Sequence, residues 1–120
     1  MSAHIAQCAI DVTDLVVMTR FWSAALGYAA GPEEEGGVHL FGAPGAPSVF
    51  LQRAETPKPA KNRIHLDLIA EGDVEAAVVR LVGLGARPVD VGQSGAEPFT
   101  VLADPEGNEF CLLHVDPRGS

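Results

Sequence analysis

The chain has 120 residues, a length that indicates one compact domain with a single core rather than a two-domain enzyme. Hydrophobic residues make up 47% of the composition, which is enough to build that core and argues against intrinsic disorder. The formal net charge of −8, from 16 acidic and 8 basic residues, repels phosphate backbones and anionic lipid surfaces, so neither nucleic acid nor a membrane is an expected partner.

Two further features of the chain concern its cellular compartment. The beginning of the sequence lacks the charged and then apolar pattern of a signal peptide, and no apolar run is long enough to span a bilayer. Its two cysteines, Cys8 and Cys111, are too few for a disulfide framework and suit a reducing environment. We therefore expect a cytoplasmic protein in which both thiols are free.

The first half of the chain predicts a strand, a helix and three further strands. Residues 5–12 are β-compatible and partly alternating, and Thr13 with Asp14 can cap the helix that follows. Apolar residues then recur at helical spacing over residues 15–26, and Gly27 ends the helix in a left-handed conformation. Turns rich in glycine and proline separate the remaining strands, which are predicted at 28–30, 38–41 and 48–53.

The same order of elements returns after a loop rich in proline and lysine at residues 55–62. A strand is predicted at 63–69 because polar and apolar residues alternate there, and Asp73 caps a helix that ends at Gly85. An Asp-Pro-Glu-Gly-Asn turn occupies residues 104–108. Three strands complete the second half, at 87–91, 98–103 and 109–115.

The two halves also keep the same spacing, which indicates an internal duplication. Gln7 and His65 are polar positions on the first strand of each half, and leucine-glycine pairs end the helices at residues 26–27 and 84–85. Both pairs of positions are equally far apart, because 65 − 7 and 84 − 26 both give 58. These matches favour a duplication over the strand–helix–strand order that any α+β chain shows.

Three segments of the sequence resemble those of one known superfamily. Residues 11–28 (DVTDLVVMTRFWSAALGY) are similar to the first strand and helix of the vicinal-oxygen-chelate superfamily, whose helices commonly end in a leucine-glycine pair. Residues 61–68 (KNRIHLDL) and 102–113 (LADPEGNEFCLL) resemble its small bacterial members, the glyoxalase-like domain proteins of the glyoxalase/bleomycin resistance/dioxygenase group. The resemblance extends over nearly the whole chain.

This resemblance and the duplication together predict the fold. We expect one α+β domain over residues 1–120, with two βαβββ modules at about 5–54 and 63–116. The resemblance implies that their sheets curve around a cup, with the helices outside. Many members hold a divalent metal in the cup, through ligands on the first and last strands of each module. Members of this size usually form homodimers, so the cup lies either within one chain or between two.

The strand predicted at 63–69 carries a run of functional side chains. Arg63, His65 and Asp67 share one face, which the fold would turn towards the cup, and Asp67 could orient His65 or bind a ligand. The apolar residues of the strand lie on the opposite face and are expected to pack on the helices: Ile64, Leu66 and Leu68. An ordinary sheet with one solvated face would show the same alternation, so a site is one of two explanations.

A metal site is the sharper hypothesis that the resemblance implies. His65 stands at the position of a metal-binding histidine, and Gln7 matches it on the first strand, where glyoxalase I enzymes of one type use glutamine. The last ligand of metal-binding relatives is a glutamate three residues after the asparagine of the turn, and that position is Cys111. Gln7, His65 and Cys111 are therefore the candidate ligands for Zn, Ni, Fe or Mn. The alternatives are a pocket histidine without a metal and a cysteine that only packs the core, its commoner role.

Other groups could serve the same pocket. Glu109 lies two residues before the candidate thiol ligand on the same face, and it could act as a general base, as a substitute ligand or as the partner of Arg63. Asp11 is the same-face companion of Gln7 on the first strand. The loop at residues 58–63 holds the only basic cluster of an acidic chain, which could draw an anionic small molecule or simply be solvated.

Two main functions follow from these patterns. The first is a glyoxalase-like enzyme in which a metal stabilises an oxyanion intermediate of a small substrate as a Lewis acid. Lyase, isomerase, epimerase and dioxygenase chemistry all occur on such a fold, so the fold does not choose the reaction. The second is a metal-free protein that binds a small molecule of antibiotic type in the same cup, which the incomplete ligand set favours. A structural or regulatory domain with a vestigial pocket is a third hypothesis.

Overall fold

The computed structural model describes residues 2–118, so the predicted domain limits at residues 1 and 120 lie outside the described residues. Strands and helices follow one another in the predicted order. Their bounds are β1 (Gln7–Val12), α1 (Leu15–Leu26), β2 (Ala29–Ala30), β3 (Gly37–Phe41), β4 (Ser48–Arg53), β5 (Asp67–Ile69), α2 (Val74–Leu84), β6 (Arg87–Pro88), β7 (Phe99–Ala103) and β8 (Glu109–Leu113).

The strands form two four-stranded mixed sheets with the same connectivity. Their strand orders are β1-β4-β3-β2 and β5-β8-β7-β6. In each sheet the first strand pairs in parallel with the fourth, and the other pairings are antiparallel. This repeated βαβββ connectivity confirms the predicted duplication and the α+β class. The chain divides between Pro57 and Lys58 into two compact units, which we call the first and the second unit.

Both helices begin and end with the signals predicted from the sequence. The carboxylate of Asp14 accepts a hydrogen bond from Val17 N at 3.1 Å, and that of Asp73 accepts one from Ala76 N at 3.0 Å. Such N-caps satisfy backbone donors that the first turn of a helix leaves unpaired. Gly27 closes α1 at φ 68°, a left-handed conformation in which a side chain would be strained. None of the helices within residues 2–118 is long and apolar enough to cross a bilayer.

The core of the first unit forms where α1 packs on its sheet. Met18, Phe21 and Trp22 on α1 are at most 2% exposed, and Leu40 and Leu51 on the central strands are 0% exposed. Full burial of one large apolar side chain stabilises a fold by about 1.5–3 kcal/mol. Phe21 and Trp22 therefore serve the core, as their helical spacing predicts, and their rings meet edge to face with centroids 5.1 Å apart.

The sheet of the second unit alternates between a core face and an open face. On β8, Phe110 and Leu112 are 1% and 2% exposed, and Leu102 on β7 is 0% exposed. Of the α2 residues only Leu81 is buried, so this helix covers its sheet less completely than α1 does. The opposite face of β8 carries Glu109, Cys111 and Leu113, because successive side chains point to opposite sides of a strand.

Several predicted strands are shorter in the structure, and β5 differs most. Its ladder covers only Asp67–Ile69, whereas residues 63–69 were expected to pair. Just before this segment the side-chain amide of Asn62, rather than a backbone N–H, donates to the Glu109 carbonyl at 3.3 Å. Ile64 is 90% exposed, so the expectation that it packs on a helix is wrong. The strand predicted at 5–12 begins later, at Gln7, and the strands predicted at 87–91 and 109–115 end earlier, at Pro88 and Leu113.

Candidate functional site

A cavity of about 300 Å³ opens on the second unit. Its apolar wall comes from β7, β8 and the loop after β6, through Val91, Phe99, Val101 and Leu113. Its polar wall consists of Lys61, His65, Asp67, Glu109 and Cys111. An apolar hollow with a few convergent polar groups is the usual form of a small-molecule site.

Three of the polar side chains form a tight cluster. One oxygen of Asp67 lies 2.9 Å from Nδ1 of His65, and Asp67 is the register partner of Cys111 across the β5–β8 ladder. Potential ligand atoms of His65, Asp67 and Cys111 all lie within 4.8 Å of one another. A nitrogen, an oxygen and a sulfur donor thus converge at one point of the cavity wall. Such a mixed set suits zinc and similar borderline ions.

The surroundings of Cys111 raise the pKa of its thiol. The residue is 8% exposed, and burial raises the pKa of the Cys111 thiol because a thiolate would be poorly solvated. The negative charge of Asp67 and its hydrogen bond with the thiol raise that pKa further, whereas the positive charge of Lys61 acts in the opposite direction. A metal ion would therefore have to displace the proton in order to bind the sulfur.

Glu109 also lines the cavity, but its carboxylate is already engaged. Oε1 accepts a hydrogen bond from the backbone N–H of Asn62 at 2.9 Å and lies 3.1 Å from Nζ of Lys58. Burial acts to raise the pKa of Glu109, but the hydrogen bonds from Asn62 and Lys58 outweigh it and hold that pKa below its usual value. The ion pair forms with Lys58 rather than with Arg63, which had been one of its predicted partners. Such a carboxylate is a weaker base than a free one.

The basic residue that lines the cavity is Lys61, whereas the sequence analysis predicted Arg63 as the pocket residue. Arg63 precedes β5, is exposed and is not among the cavity-lining side chains. Lys61, which the sequence placed only in a basic loop, reaches the cavity wall. Residues Val91, Phe99 and Val101 were not predicted as pocket residues either. Alternation along β7 was the signal that could have identified the last two.

Gln7 and Asp11 lie on β1, in the first unit. Both are exposed, and they share one face of the strand with Ala9. His65, Asp67 and Cys111 come together within the second unit, whereas the convergence of Gln7 on the same point stays a prediction. Neither cysteine forms a disulfide within the described residues.

The duplication is symmetric in backbone but not in chemistry. The 58-residue offset makes Ala9 the counterpart of Asp67. Since Ala9 pairs with Phe50 as Asp67 pairs with Cys111, Phe50 takes the ladder position of Cys111 in the first unit. The first unit thus keeps only Gln7 of the three donor positions. Its open face is aromatic instead, since the His39 ring lies 4.4 Å from that of Phe50 between centroids. Within residues 2–118 the cluster of candidate metal ligands lies in the second unit.

Known proteins resemble this chain over nearly its full length. The sequence profile of the family described as Glyoxalase-like domain matches residues 7–113. A search of the curated proteins found no match. Among solved structures, the fosfomycin resistance protein FosX from Mesorhizobium loti superposes with a TM-score of 0.74 at 15% identity, over 98% of this chain and 96% of that chain.

Two further solved structures share the fold. A mutant of FosX from Listeria monocytogenes, complexed with Mn(II) and 1S,2S-dihydroxypropylphosphonic acid, has a TM-score of 0.73 at 14% identity, covering 100% of this chain and 93% of that chain. The antibiotic binding protein TnmS3 from Streptomyces sp. CB03234 has a TM-score of 0.66 at 19% identity, covering 93% of this chain and 95% of that chain. Because the family profile covers residues 7–113 of 120, the chain belongs to the glyoxalase-like domain family of the vicinal-oxygen-chelate superfamily.

Proposed function

We propose that the chain is a glyoxalase-like small-molecule enzyme whose site is the cavity of the second unit. A divalent metal is held there by His65, Asp67 and Cys111. The observation that carries the proposal is the convergence of three donor atoms within 4.8 Å at the wall of an apolar hollow. A Mn(II) complex of the similarly folded FosX supports it.

The donor set fits a metal ion chemically. An imidazole nitrogen, a carboxylate oxygen and a thiolate sulfur are three protein ligands, which leaves at least one position for a substrate or water in a four-coordinate site. When bound, such an ion acts as a Lewis acid that polarises an oxygen of the ligand.

The residues around the donors orient and shield a small ligand. Asp67 holds one nitrogen of the His65 ring at 2.9 Å, which fixes the ring and leaves its other nitrogen for a metal or a proton. Phe99 and Val101 form part of the apolar wall of the same cavity, where they can pack against a small ligand. Glu109 was our predicted general base. Its oxygen already accepts from Asn62 and Lys58, which makes Glu109 a weaker base than a free carboxylate.

The charges of the cavity favour an anionic ligand only when a metal is bound. Lys58 neutralises Glu109, so Lys61 and Asp67 are the remaining charged groups of the wall and cancel each other. A divalent ion would make the site positive. We therefore propose a small anionic ligand for the metal-bound protein, with Lys61 as the group that meets its negative charge. A phosphonate in the FosX complex supports this class.

A metal-free binding protein is the second candidate function, and one observation favours it. Asp67 lies 2.9 Å from His65 Nδ1 and is also hydrogen-bonded to the Cys111 thiol, so the donors satisfy one another without an ion. The cavity would then hold an uncharged, largely apolar molecule between Phe99 and Leu113. The similar fold of an antibiotic binding protein supports this alternative.

Metal content separates the two candidates. The full chain is purified without an affinity tag and its bound metals are measured by elemental analysis, alongside His65→Ala. His114→Ala is the matched control, because His114 bonds to Thr100 and does not line the cavity. We expect one metal per chain in the wild type and in the control, and a loss in His65→Ala. If no metal binds after loading with Zn, Ni, Fe and Mn, the metal-dependent enzyme is refuted and the metal-free binding protein remains as the proposed function.

We also propose that the protein is a cytoplasmic, bacterial homodimer. Its size and its resemblance to small bacterial members support the dimer, and two free thiols suit a reducing compartment. Light scattering on the full chain measures the mass directly, and a value near that of one chain would overturn the dimer. Cell fractionation of the source organism tests the compartment.

A further inference from the structure

We propose that Cys111 makes this site selective for thiophilic ions of the zinc class, namely Zn²⁺, Co²⁺ and Cd²⁺, over hard ions such as Mn²⁺ and Mg²⁺. This inference rests on the proposed metal site and names the kind of ion that the site takes. Two observations support it. The fold presents the sulfur of Cys111 to the cavity, and it engages the carboxylate of Glu109 in other contacts.

The fold presents the sulfur of Cys111 to the cavity. The β5–β8 ladder pairs Cys111 with Asp67, and neighbouring partners in a ladder project to the same side of the sheet. Its neighbours on β8, Phe110 and Leu112, take the opposite, core side. Cys111 lines the cavity beside His65, so it is more than a residue that fills the core.

The second carboxylate of the cavity wall, which a hard ion would need as a ligand, is already engaged by other groups of the protein. Glu109 is the other acidic residue of the cavity wall, and its Oε1 is occupied by Asn62 N–H and Lys58. Asp67 therefore remains the one carboxylate of this wall without a lysine partner. Mg²⁺ and Mn²⁺ prefer sites built from several oxygen ligands, whereas sulfur and imidazole ligands select zinc-like ions.

The step that forms the site is balanced by proton release. The divalent ion displaces the proton of the Cys111 thiol, which passes to the buffer, and the sulfur binds as a thiolate. No electron is transferred, so no oxidant or reductant takes part. A glutamate at residue 111 would supply a second oxygen donor instead, and would shift the preference towards hard ions.

Cobalt spectroscopy reads the sulfur ligand directly. The full chain is stripped with a chelator and titrated with Co²⁺, because a cobalt–thiolate bond gives an intense near-ultraviolet charge-transfer band. We expect that band in the wild type and in the matched control Cys8→Ser, and its loss in Cys111→Ser. The wild-type spectrum needs no variant, so a misfolded Cys111→Ser would not leave the proposal untested.

Competition between ions measures the selectivity. Zn²⁺ and Mn²⁺ affinities are determined by calorimetry for the wild type and for Cys111→Glu. We expect the ratio of Zn²⁺ to Mn²⁺ affinity to fall by at least about tenfold in Cys111→Glu. Cobalt binding without the band, or an unchanged ratio in a folded Cys111→Glu, would overturn this inference and leave the metal site standing. Binding of no ion at all would instead refute the proposed function.

Discussion

Removal of the Glu109 carboxylate tests whether this residue anchors a loop or serves the chemistry. Glu109 is 13% exposed in its side chain and Lys58 is 18% exposed, so water screens their 3.1 Å ion pair only partly. The same oxygen accepts the Asn62 N–H at 2.9 Å. Together these contacts tie the basic loop before β5 to the last strand of the sheet.

Most of the stability that Glu109→Ala is expected to lose comes from the Asn62 N–H, which loses its hydrogen-bond acceptor. A hydrogen bond to a charged acceptor contributes about 1.5–3 kcal/mol, and its loss leaves the Asn62 N–H unpaired. The ion pair with Lys58 adds about 1 kcal/mol or less. We expect a loss of about 2–3 kcal/mol in the free energy of unfolding, which corresponds to a fall of roughly 8–15 °C in the melting temperature.

Urea and thermal denaturation followed by circular dichroism measure this loss. Glu33→Ala is the control, because its pair with Arg53 is exposed by 63% and 43% and should contribute less than about 1 kcal/mol. Glu109→Gln keeps an acceptor for Asn62 and should lose only the ion pair. A Glu109→Ala protein within about 0.5 kcal/mol of wild type would refute the anchoring role. If Glu109→Gln keeps its stability but loses enzymatic turnover, the earlier prediction that Glu109 is a general base would be supported instead.

Three further predictions use other parts of the molecule. Asp67→Asn should weaken metal binding by about 10–100-fold, because a neutral amide is a poorer metal ligand and a weaker acceptor for the imidazole N–H than the carboxylate, and calorimetry measures the change. Gly83→Ala should stabilise α2 by about 0.5–1 kcal/mol since its Cβ meets nothing within 4 Å, whereas Gly37→Ala should destabilise by more than about 2 kcal/mol since its Cβ would clash with the backbone oxygen of Leu51 on β4. Burial raises the pKa of both cysteines, so alkylation at neutral pH should be slow in the native protein, while non-reducing denaturant should expose two free thiols.

The helices and the order of strands could be predicted because their signals are local. Asp14 and Asp73 each bond a backbone N–H three residues on, and Gly27 takes the left-handed conformation that ends α1. These interactions involve only neighbours in the chain. The apolar spacing of α1 likewise indicates which residues reach the core, and Trp22 and Met18 are indeed buried.

Strand length was harder to predict because it depends on the partner strand. Alternation over residues 63–69 suggested one long strand, but β5 pairs with β8 only from Asp67 onwards. The side chain of Asn62 takes the Glu109 carbonyl instead of a ladder partner. Such a competing bond joins residues 47 apart in the chain, so no local pattern announces it.

The candidate site, too, could be predicted from the sequence only in part. The sequence by itself determined that His65 and Asp67 share a face, because residues two apart on an extended chain point to the same side. The resemblance had named Cys111 as a ligand beside His65, and the structure brings the two together with Asp67. Only the tertiary structure decided that Lys61 rather than Arg63 lines the cavity and that Lys58 pairs with Glu109. Each of these contacts depends on the parallel register of β5 with β8, which is set when the unit packs rather than by any neighbouring residue.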